Sequence, residues 1–338
     1  MSVNNKGATF EYIAGTFRLY NNVGMAFGVL PYSTIDYEYS TSEFLDNDNG
    51  SVTESYTGSG GLHQAFLGVG FKVIPQLSLG VNLAYLWGKQ NKTASSGSTT
   101  YINSLSKNYN ALFNSYDIKL GAQWEQPLTA KDVLTVGATV NIGHTLDANA
   151  NCLIINANST TSRRDTTSFV VDNGFAIPWT YGAGLGLNHG SSLFVGADFT
   201  MQKWGSIDYP DYDEERGTYV KKSGLLRDRY KASLGADWVP NAMSRKYFSR
   251  VHYRFGAGIA TSYYKINGSD GPKELSLSAG LGLPLQNSWN TRGNMKPVLN
   301  ISAQWTRSAA TGLITENVFR INVGLTFNER WFAKWKVN

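Results

Sequence analysis

Residues 77–88 read Leu-Ser-Leu-Gly-Val-Asn-Leu-Ala-Tyr-Leu-Trp-Gly, with a large apolar side chain at every odd position. Apart from Leu86, the even positions are small or polar. Because successive side chains of a β-strand point to opposite faces, this stretch predicts a strand with one apolar and one glycine-rich polar face. In a soluble sandwich the apolar face would pack on a second sheet. In a transmembrane barrel it would contact lipid, and the polar face would line the lumen.

The same alternation recurs along the chain, and charge is excluded from its apolar face. It is found in residues 23–29, 67–73, 116–124, 134–142, 179–187, 193–199, 230–238, 251–259, 275–283, 299–305 and 319–327. Charged residues make up 16% of the chain, yet these apolar faces contain none. The polar faces carry both signs of charge, and the residues that we predict to line the lumen are Lys72, Asp117, Lys119, Asp198, Lys231, Arg254, Glu274 and Arg320. A soluble core would exclude charge equally well, so charge alone leaves both classes open.

Three further features favour a membrane barrel. Trp and Tyr residues lie at the ends of the apolar faces, as in the two aromatic girdles of outer-membrane barrels. The alternating segments are about 9–11 residues long, enough to cross a bilayer when tilted. The connections alternate between short turns (21–22, 75–76, 129–132 and 189–192) and long polar stretches, which we predict to be loops (near 40–60, 89–114, 147–177 and 204–227). We therefore predict an all-β, antiparallel up-and-down transmembrane barrel, a single domain over residues 1–338, in contact with lipid of the bacterial outer membrane.

The number of apolar faces predicts the number of strands in the barrel. About thirteen apolar faces can be counted, and the first, near residues 8–20, leads into a short turn. A chain that begins and ends on the periplasmic side needs an even number of strands. Residues 1–7 contain no apolar segment typical of a secretory signal. We therefore predict about fourteen strands, with the signal and the first strand missing from this sequence. The alternative is an extra strand inside 147–177, where Ser168–Val171 is β-prone.

Two segments near the C-terminus resemble known proteins. Residues 247–285 read YFSRVHYRFGAGIATSYYKINGSDGPKELSLSAGLGLPL, and residues 314–338 read ITENVFRINVGLTFNERWFAKWKVN. They resemble a hairpin and the closing strand of Bacteroidota outer-membrane proteins, which belong with the long-chain fatty-acid transporter (FadL/TodX-like) superfamily of fourteen-stranded barrels. The alternating pattern resembles these proteins over most of the chain, whereas the match of specific residues is confined to the C-terminal part.

This resemblance implies passive uptake of small hydrophobic molecules across the outer membrane. In that superfamily an N-terminal hatch plugs the lumen, and a groove in the long loops captures the ligand. No such hatch precedes residue 8 here, so no ligand-contacting residue can be transferred to this sequence. Some Bacteroidota relatives serve instead as subunits of secretion or barrel-assembly machinery, binding other outer-membrane proteins. Fold resemblance does not choose between the two roles.

The pattern of residues does not indicate an enzymatic activity. The inward faces show no grouping of Ser, His and Asp, and we predict no catalytic residue. His144 and His252 both point inward by register, but His144 lies at a strand end and His252 beside Arg254. The four histidines lack metal-ligand spacing, so we predict neither metal nor cofactor. The net charge of +5 is dispersed, which argues against a nucleic-acid partner.

The lumen and loops leave several interpretations open. Because unpaired charges in a dry cavity are costly, the lumen is either wet or filled by a plug or loop that pairs with its charges. An open diffusion pore is the competing arrangement. The acidic and aromatic stretch 208–216 is interpreted as solvated, or as a partner surface or lid. The single cysteine, Cys152, begins the apolar stretch 152–155, a loop patch that touches a hydrophobic ligand or tucks into the lumen.

Overall fold

The computed structural model of the protein describes residues 9–44, 50–98, 103–266, 269–285, 297–310 and 315–327. Within these ranges the strands are β1 Ile13–Tyr20, β2 Val23–Phe44, β3 Ser51–Lys72, β4 Leu77–Ser98, β5 Asn103–Pro127, β6 Asp132–Asn141, β7 His144–Thr145, β8 Ala150–Asn158, β9 Arg164–Val171, β10 Ala176–Ile177, β11 Thr180–His189, β12 Leu193–Gln202, β13 Tyr209–Asp213, β14 Thr218–Lys222, β15 Arg229–Trp238, β16 His252–Ala260, β17 Lys265–Ile266, β18 Ser269–Asp270, β19 Lys273–Pro284, β20 Val298–Ala309 and β21 Glu316–Thr326. Two short 3₁₀ turns cover Trp204–Ser206 and Tyr247–Arg250. In the described ranges no helix is both long and apolar enough to cross a membrane. The N-terminal residues 1–7 and the final residues 328–338 of the predicted closing segment lie outside these ranges.

Thirteen of the strands form the wall of an antiparallel β-barrel. They pair in the order β1-β2-β3-β4-β5-β6-β11-β12-β15-β16-β19-β20-β21, which is chain order. The predicted up-and-down topology and the thirteen counted wall strands are therefore confirmed. Since every neighbouring pair is antiparallel, the two edge strands β1 and β21 run in the same direction. They do not pair with each other in the described part of the chain.

The predicted apolar face is the outer face of this wall. Leu79 and Val81 on β4, Leu120 on β5 and Val136 on β6 are 36–46% exposed. Val81 pairs with Val69 on one side and with Leu120 on the other, so apolar side chains form a continuous row across the strands. A sandwich core would have buried these residues against a second sheet. The exposed row is the arrangement of a barrel that faces lipid.

Four strands of the wall are much longer than the others. β2 to β5 contain 22–25 residues, whereas β6, β11, β12 and β15 contain ten. The difference is about a dozen residues, or roughly 40 Å of strand. Their additional parts, residues 33–44, 51–62, 86–98 and 103–113, are called the extension here. The prediction of loops near 40–60 and 89–114 is therefore wrong for the described residues, because backbone pairing with neighbouring strands continues where the apolar alternation has ended.

The other two predicted loops also contain strands. In 147–177, β8 pairs with the extension of β5, and β9 pairs with β8. In 204–227, β13 and β14 form a separate hairpin. Ser168–Val171 is indeed in a strand, β9, but this strand lies off the path of the barrel wall. The alternative that placed a missing wall strand inside 147–177 is therefore wrong.

A hydrophobic core lies on the inner face of the extension. Its buried members are Leu62, Leu86, Ala111, Phe113, Leu146, Ala148, Ala150, Cys152, Phe175, Ile177 and Tyr219. Leu86 and Cys152 have no exposed surface. Hairpins β8–β9 and β13–β14 contribute to this core, so they pack inside the end of the barrel that carries the long connections. That end is called the loop end, and the opposite end is called the turn end.

Candidate functional site

A large cavity, lined by residues of the described ranges, connects the inside of the extension with the lumen. Its volume is about 4160 Å³. At the loop end it is lined by Tyr37, Lys92 and Tyr209, and deeper in the barrel by Arg254 and Arg320. It also reaches residues 9–12, which precede β1, and the edge strand β21. The part enclosed by the extension and the β13–β14 hairpin is called the chamber.

The β13–β14 hairpin is held against the inner face of the extension by aromatic rings. The ring of Tyr209 lies 5.6 Å from that of Phe175, and the ring of Tyr219 lies 5.8 Å from that of Tyr109. Aromatic pairs at such distances add stabilisation beyond the area that they bury. The interpretation of 208–216 as a solvated loop is therefore wrong for Tyr209, which packs inside the barrel mouth.

An ion pair fixes the tip of the same hairpin. Lys107 on β5 donates a hydrogen bond to Glu214, with 2.7 Å between Nζ and Oε1. This hydrogen bond holds the pKa of the Glu214 carboxyl below its usual range. Lys107 also lies over the ring of Tyr212, with Nζ 4.9 Å from the centroid. The hairpin is thus tied to the wall by charge as well as by packing.

The apolar stretch 152–155 belongs to this core. Cys152 and Ile154 are in β8 and pack on the inner side of the extension. The predicted loop patch is therefore a strand, and it contacts the hydrophobic core at the loop end. Burial raises the pKa of the Cys152 thiol, which disfavours the reactive thiolate. We interpret Cys152 as a packing residue.

The chamber wall is built by the register of three adjacent strands. Lys92 on β4 pairs with Gly58 on β3, and Gly58 pairs with Tyr37 on β2. Paired residues point to the same face of a sheet, so Lys92 and Tyr37 both face inward. A Cβ atom on Gly58 would overlap the ring of Tyr37, so the absence of a side chain there lets this ring lie across β3 towards Lys92.

A β-bulge brings Tyr37 to the inner face. The register between β2 and β3 shifts between Pro31 and Ser33, so that Tyr32 has no partner on β3. Before the shift, odd-numbered residues such as Val29 lie on the outer, apolar face. After it, odd-numbered residues lie on the inner face, because one extra residue reverses the alternation.

Deeper in the lumen, polar side chains form a connected network across four strands. Asp237 on β15 accepts hydrogen bonds from His252 Nδ1 at 2.9 Å and from Arg254 Nε at 2.9 Å, both on β16. Arg254 Nη1 donates to Asn300 Oδ1 on β20 at 2.6 Å. Asn300 donates in turn to Thr326 on β21 at 3.0 Å. These four strands are therefore linked by hydrogen bonds between polar side chains on the lumen side of the wall.

The eight predicted lumen residues occupy different surroundings. Lys119, Arg254 and Arg320 line the cavity. Two others are in ion pairs, Lys72 with Glu125 at 3.5 Å and Glu274 with Arg229 at 3.1 Å.

The remaining three of the eight residues lie on β5, β12 and β15. Asp117 is buried, and its Oδ1 atom has no hydrogen-bond partner. Asp198 lies over Gly184, with Oδ1 2.5 Å from the place where a Cβ of that glycine would stand. Lys231 pairs with Thr200, which lines the cavity. The structure thus does not gather the eight residues into one site.

The two candidate histidines have different surroundings. His252 lines the cavity and is engaged by Asp237. His144 stacks on the ring of Tyr116 with 4.3 Å between centroids. Tyr116 pairs with Tyr85 on the outer face, and both are exposed. His144 Nε2 also lies 3.5 Å from the hydroxyl of Ser115, on the inner face of β5. The register of β6 therefore does not decide the orientation of His144, because that strand has already ended at Asn141.

The sequence analysis missed the residues that shape the chamber, Tyr37, Lys92 and Tyr209. Lys92 carried a usable signal, since it continues the even-numbered inward register of Asn82 and Ala84 on the same strand. Tyr37 carried none, because its face depends on the bulge. Tyr209 lies on a separate hairpin, and only the tertiary packing places it near the other two.

Comparisons with known proteins agree with this architecture. The BamG family model matches residues 1–338. No curated protein matches the sequence. The Ralstonia pickettii toluene transporter TbuX matches with a TM-score of 0.61 at 11% identity, over 94% of this chain and 80% of that one. The CymD monoaromatic hydrocarbon channel gives 0.55 at 15% identity, over 93% and 84%. A Pseudomonas aeruginosa FadL homologue gives 0.53 at 14% identity, over 85% and 69%. At these identities the similarity shows a shared fold, that of the FadL/TodX-type outer-membrane barrels.

Proposed function

Because the chain belongs to the BamG family and has the fold of FadL/TodX-type outer-membrane barrels, we propose that it is a passive channel for small hydrophobic molecules. The loop end then faces the cell exterior, and the turn end faces the periplasm. Bilayer lipid contacts the outer face of the wall. Neither this function nor the alternative considered below requires a catalytic residue.

The continuity of the cavity carries this proposal. One cavity joins the aromatic chamber at Tyr37 and Tyr209 to the lumen at Arg254 and Arg320. Rings at the entrance provide the apolar contacts that a hydrophobic ligand prefers. A pathway of this kind needs no energy source, because the ligand moves down its concentration gradient.

Uptake by whole cells tests the channel. We expect cells that produce the protein to accumulate radiolabelled toluene or oleate faster than cells without it. The double variant Thr200→Trp/Ser302→Trp adds two bulky rings at positions that line the cavity on different strands, and it should slow this uptake.

The matched control adds the same rings on the outer face. Ala197 pairs with Leu185 and Ala303 with Ala279, so both face outward with apolar neighbours. Ala197→Trp/Ala303→Trp should leave the uptake unchanged. Equal uptake with and without the protein, or equal slowing by the two double variants, would exclude the channel.

A second function is favoured by the polarity of the lumen. The groups of Asp237, His252, Arg254 and Asn300 occupy the wall that a hydrophobic molecule would pass, and replacing their hydration by hydrocarbon is costly. A subunit of a larger outer-membrane complex would need no apolar pathway. The name of the BamG family is compatible with such a role.

Purification from native membranes in a mild detergent separates the two functions. A subunit should co-purify with other outer-membrane proteins in fixed stoichiometry, whereas a channel should be recovered alone, with bound lipid or hydrocarbon. Recovery as a single polypeptide at every detergent concentration tested would exclude the subunit.

A further inference from the structure

Lys92 lacks the acidic partner that three other cations near the chamber have. Lys107, Lys222 and Arg229 pair with carboxylates, namely Glu214, Asp211 and Glu274. Among the described residues, no carboxylate oxygen lies within 4.0 Å of Lys92 Nζ. The observed partner of Lys92 is the hydroxyl of Tyr209, at 3.3 Å. Since an ammonium group has three donors, Lys92 retains donors for another acceptor.

The amine of Lys92 nevertheless carries its charge. Burial by itself disfavours the charged form, but the hydrogen bond to Tyr209 and the electrostatic interactions with Tyr209, Tyr37 and Tyr263 outweigh this effect and raise the pKa of Lys92 above its usual value. A half-buried cation that faces only hydroxyl groups keeps an uncompensated positive charge. An anion at this place would receive a charge-assisted hydrogen bond in surroundings less polar than water.

Aromatic rings surround the same amine. The ring centroid of Tyr209 lies 5.7 Å from Lys92 Nζ, and Tyr37 lies across the adjacent strand. Tyr263 lines the chamber and stacks on Trp204 with 4.8 Å between centroids. The rings of Tyr37 and Tyr263 remain exposed to the cavity. They therefore offer faces and edges to a flat ligand, and their hydroxyl groups can donate to its charged end.

We propose that the chamber is a binding site for small aromatic carboxylates, in which Lys92 binds the carboxylate and the rings of Tyr37, Tyr209 and Tyr263 contact the aromatic part of the ligand. The site deepens the channel function and rests on it for the onward passage of the ligand. It is more selective than an apolar entrance, because an uncharged ring would leave Lys92 without its counter-charge.

The test compares two ligands of equal shape. Benzoate and benzamide differ mainly in charge, and their binding to the purified full chain in neutral detergent micelles can be measured by calorimetry or by ligand-observed NMR. We expect benzoate to bind about tenfold more tightly than benzamide, the ratio that corresponds to one charge-assisted hydrogen bond. Lys92→Met should remove this preference, and Lys92→Arg should retain most of it.

Lys89→Met is the matched control, because Lys89 lies three residues away on β4 and faces the opposite side of the sheet. It should bind benzoate like the unmodified protein. Equal binding of benzoate and benzamide, or an unchanged preference in Lys92→Met, would overturn the site. Because binding in micelles requires no transport, a protein that binds benzoate but transports nothing would refute the channel and leave the site in place.

Discussion

The membrane-spanning wall and the extension are made from the same strands with opposite polarity. On β4, Val81 faces outward and is exposed, whereas Leu86, five residues later, faces inward and has no exposed surface. Lipid solvates the outer face of the lower part, so apolar side chains are directed outward there. Above the membrane that face meets water, and the apolar side chains are buried inside. The surrounding solvent, and not the strand itself, decides which face is apolar.

Glycines mark the boundary between the two regions. Gly60 and Gly61 on β3 have φ values of +112° and +145°, which L-residues with a side chain rarely adopt. They lie next to the bulge of β2 around Tyr32, since Gly61 pairs with Thr34. The backbone irregularities of β2 and β3 therefore lie where the apolar side chains change from the outer to the inner face of the wall.

The largest effect should come from opening the core of the extension. Phe113 is buried in it and packs on Phe175 with 5.0 Å between ring centroids. Phe113→Ala should destabilise the extension by about 3–5 kcal/mol, because a buried ring is replaced by a cavity. Amide hydrogen exchange of β8 and β9 would report the loss. Leu112→Ala, at the neighbouring position on the outer face where the side chain is 69% exposed, should change little. Equal effects of the two changes would show that the extension has no inner core.

A charged substitution on the outer face tests the membrane-spanning wall. Val81→Arg should destabilise the folded barrel by about 2–4 kcal/mol, because the guanidinium would face lipid near the middle of the membrane. The neighbouring Asn82→Arg places the same group in the lumen and should be tolerated. Urea titration of the barrel in lipid, followed by its gel mobility with and without heating, measures both. If Asn82→Arg is the more harmful change, the assignment of inner and outer faces is reversed.

The boundary itself can be altered at Gly60. A Cβ atom there would overlap the carbonyl oxygen of Lys89, and the positive φ would be strained for alanine. Gly60→Ala should therefore cost about 1–3 kcal/mol in the same titration. Gly24→Ala is the control, since nothing lies within 4 Å of its Cβ position. An effect of Gly24→Ala as large as that of Gly60→Ala would point to a general loss of strand flexibility.

The smallest effect should be the pH dependence of the docking of the β13–β14 hairpin. The folded pKa of Glu214 is lowered by Lys107, so the stabilisation is fully present above the ordinary value of 4.5. It is lost as the pH falls below that value and through the folded pKa. Because Glu214 is largely exposed, the effect should stay below about 1 kcal/mol. Fluorine NMR of 3-fluorotyrosine at Tyr212 would follow the release of the hairpin.

Glu214→Gln should abolish this pH dependence, whereas Glu215→Gln should preserve it. A transition near the same pH in both variants would mean that other carboxyl groups control the docking of the hairpin.

The sequence analysis succeeded where one face of a strand is constrained by lipid. The wall strands and their outer face follow from segments such as residues 77–87, because lipid excludes charge from every outward position. It failed in the extension, where both faces admit polar residues. Thr53, Ser55 and Thr57 look like loop residues, yet they lie in β3 and are paired on both sides by backbone hydrogen bonds.

The candidate site was predictable only in part. The inward position of Lys92 could have been derived by counting along β4 from Asn82. Its lack of a carboxylate partner could not, because acidic residues elsewhere in the chain could have reached it. Tyr37 depends on a bulge at Tyr32, and a single inserted residue that reverses the alternation leaves no signal in composition or periodicity.

An antiparallel barrel with an apolar outer face follows from the residues alone, because the alternation of side chains and the exclusion of charge are local properties of each strand. Three features are visible only in the folded chain: the height of the wall beyond the membrane, the packing of two hairpins into its mouth, and the position of Lys92 near three tyrosine rings. These features depend on pairing between distant segments. Because every residue offers the same backbone donor and acceptor, such pairing leaves no pattern in the side chains.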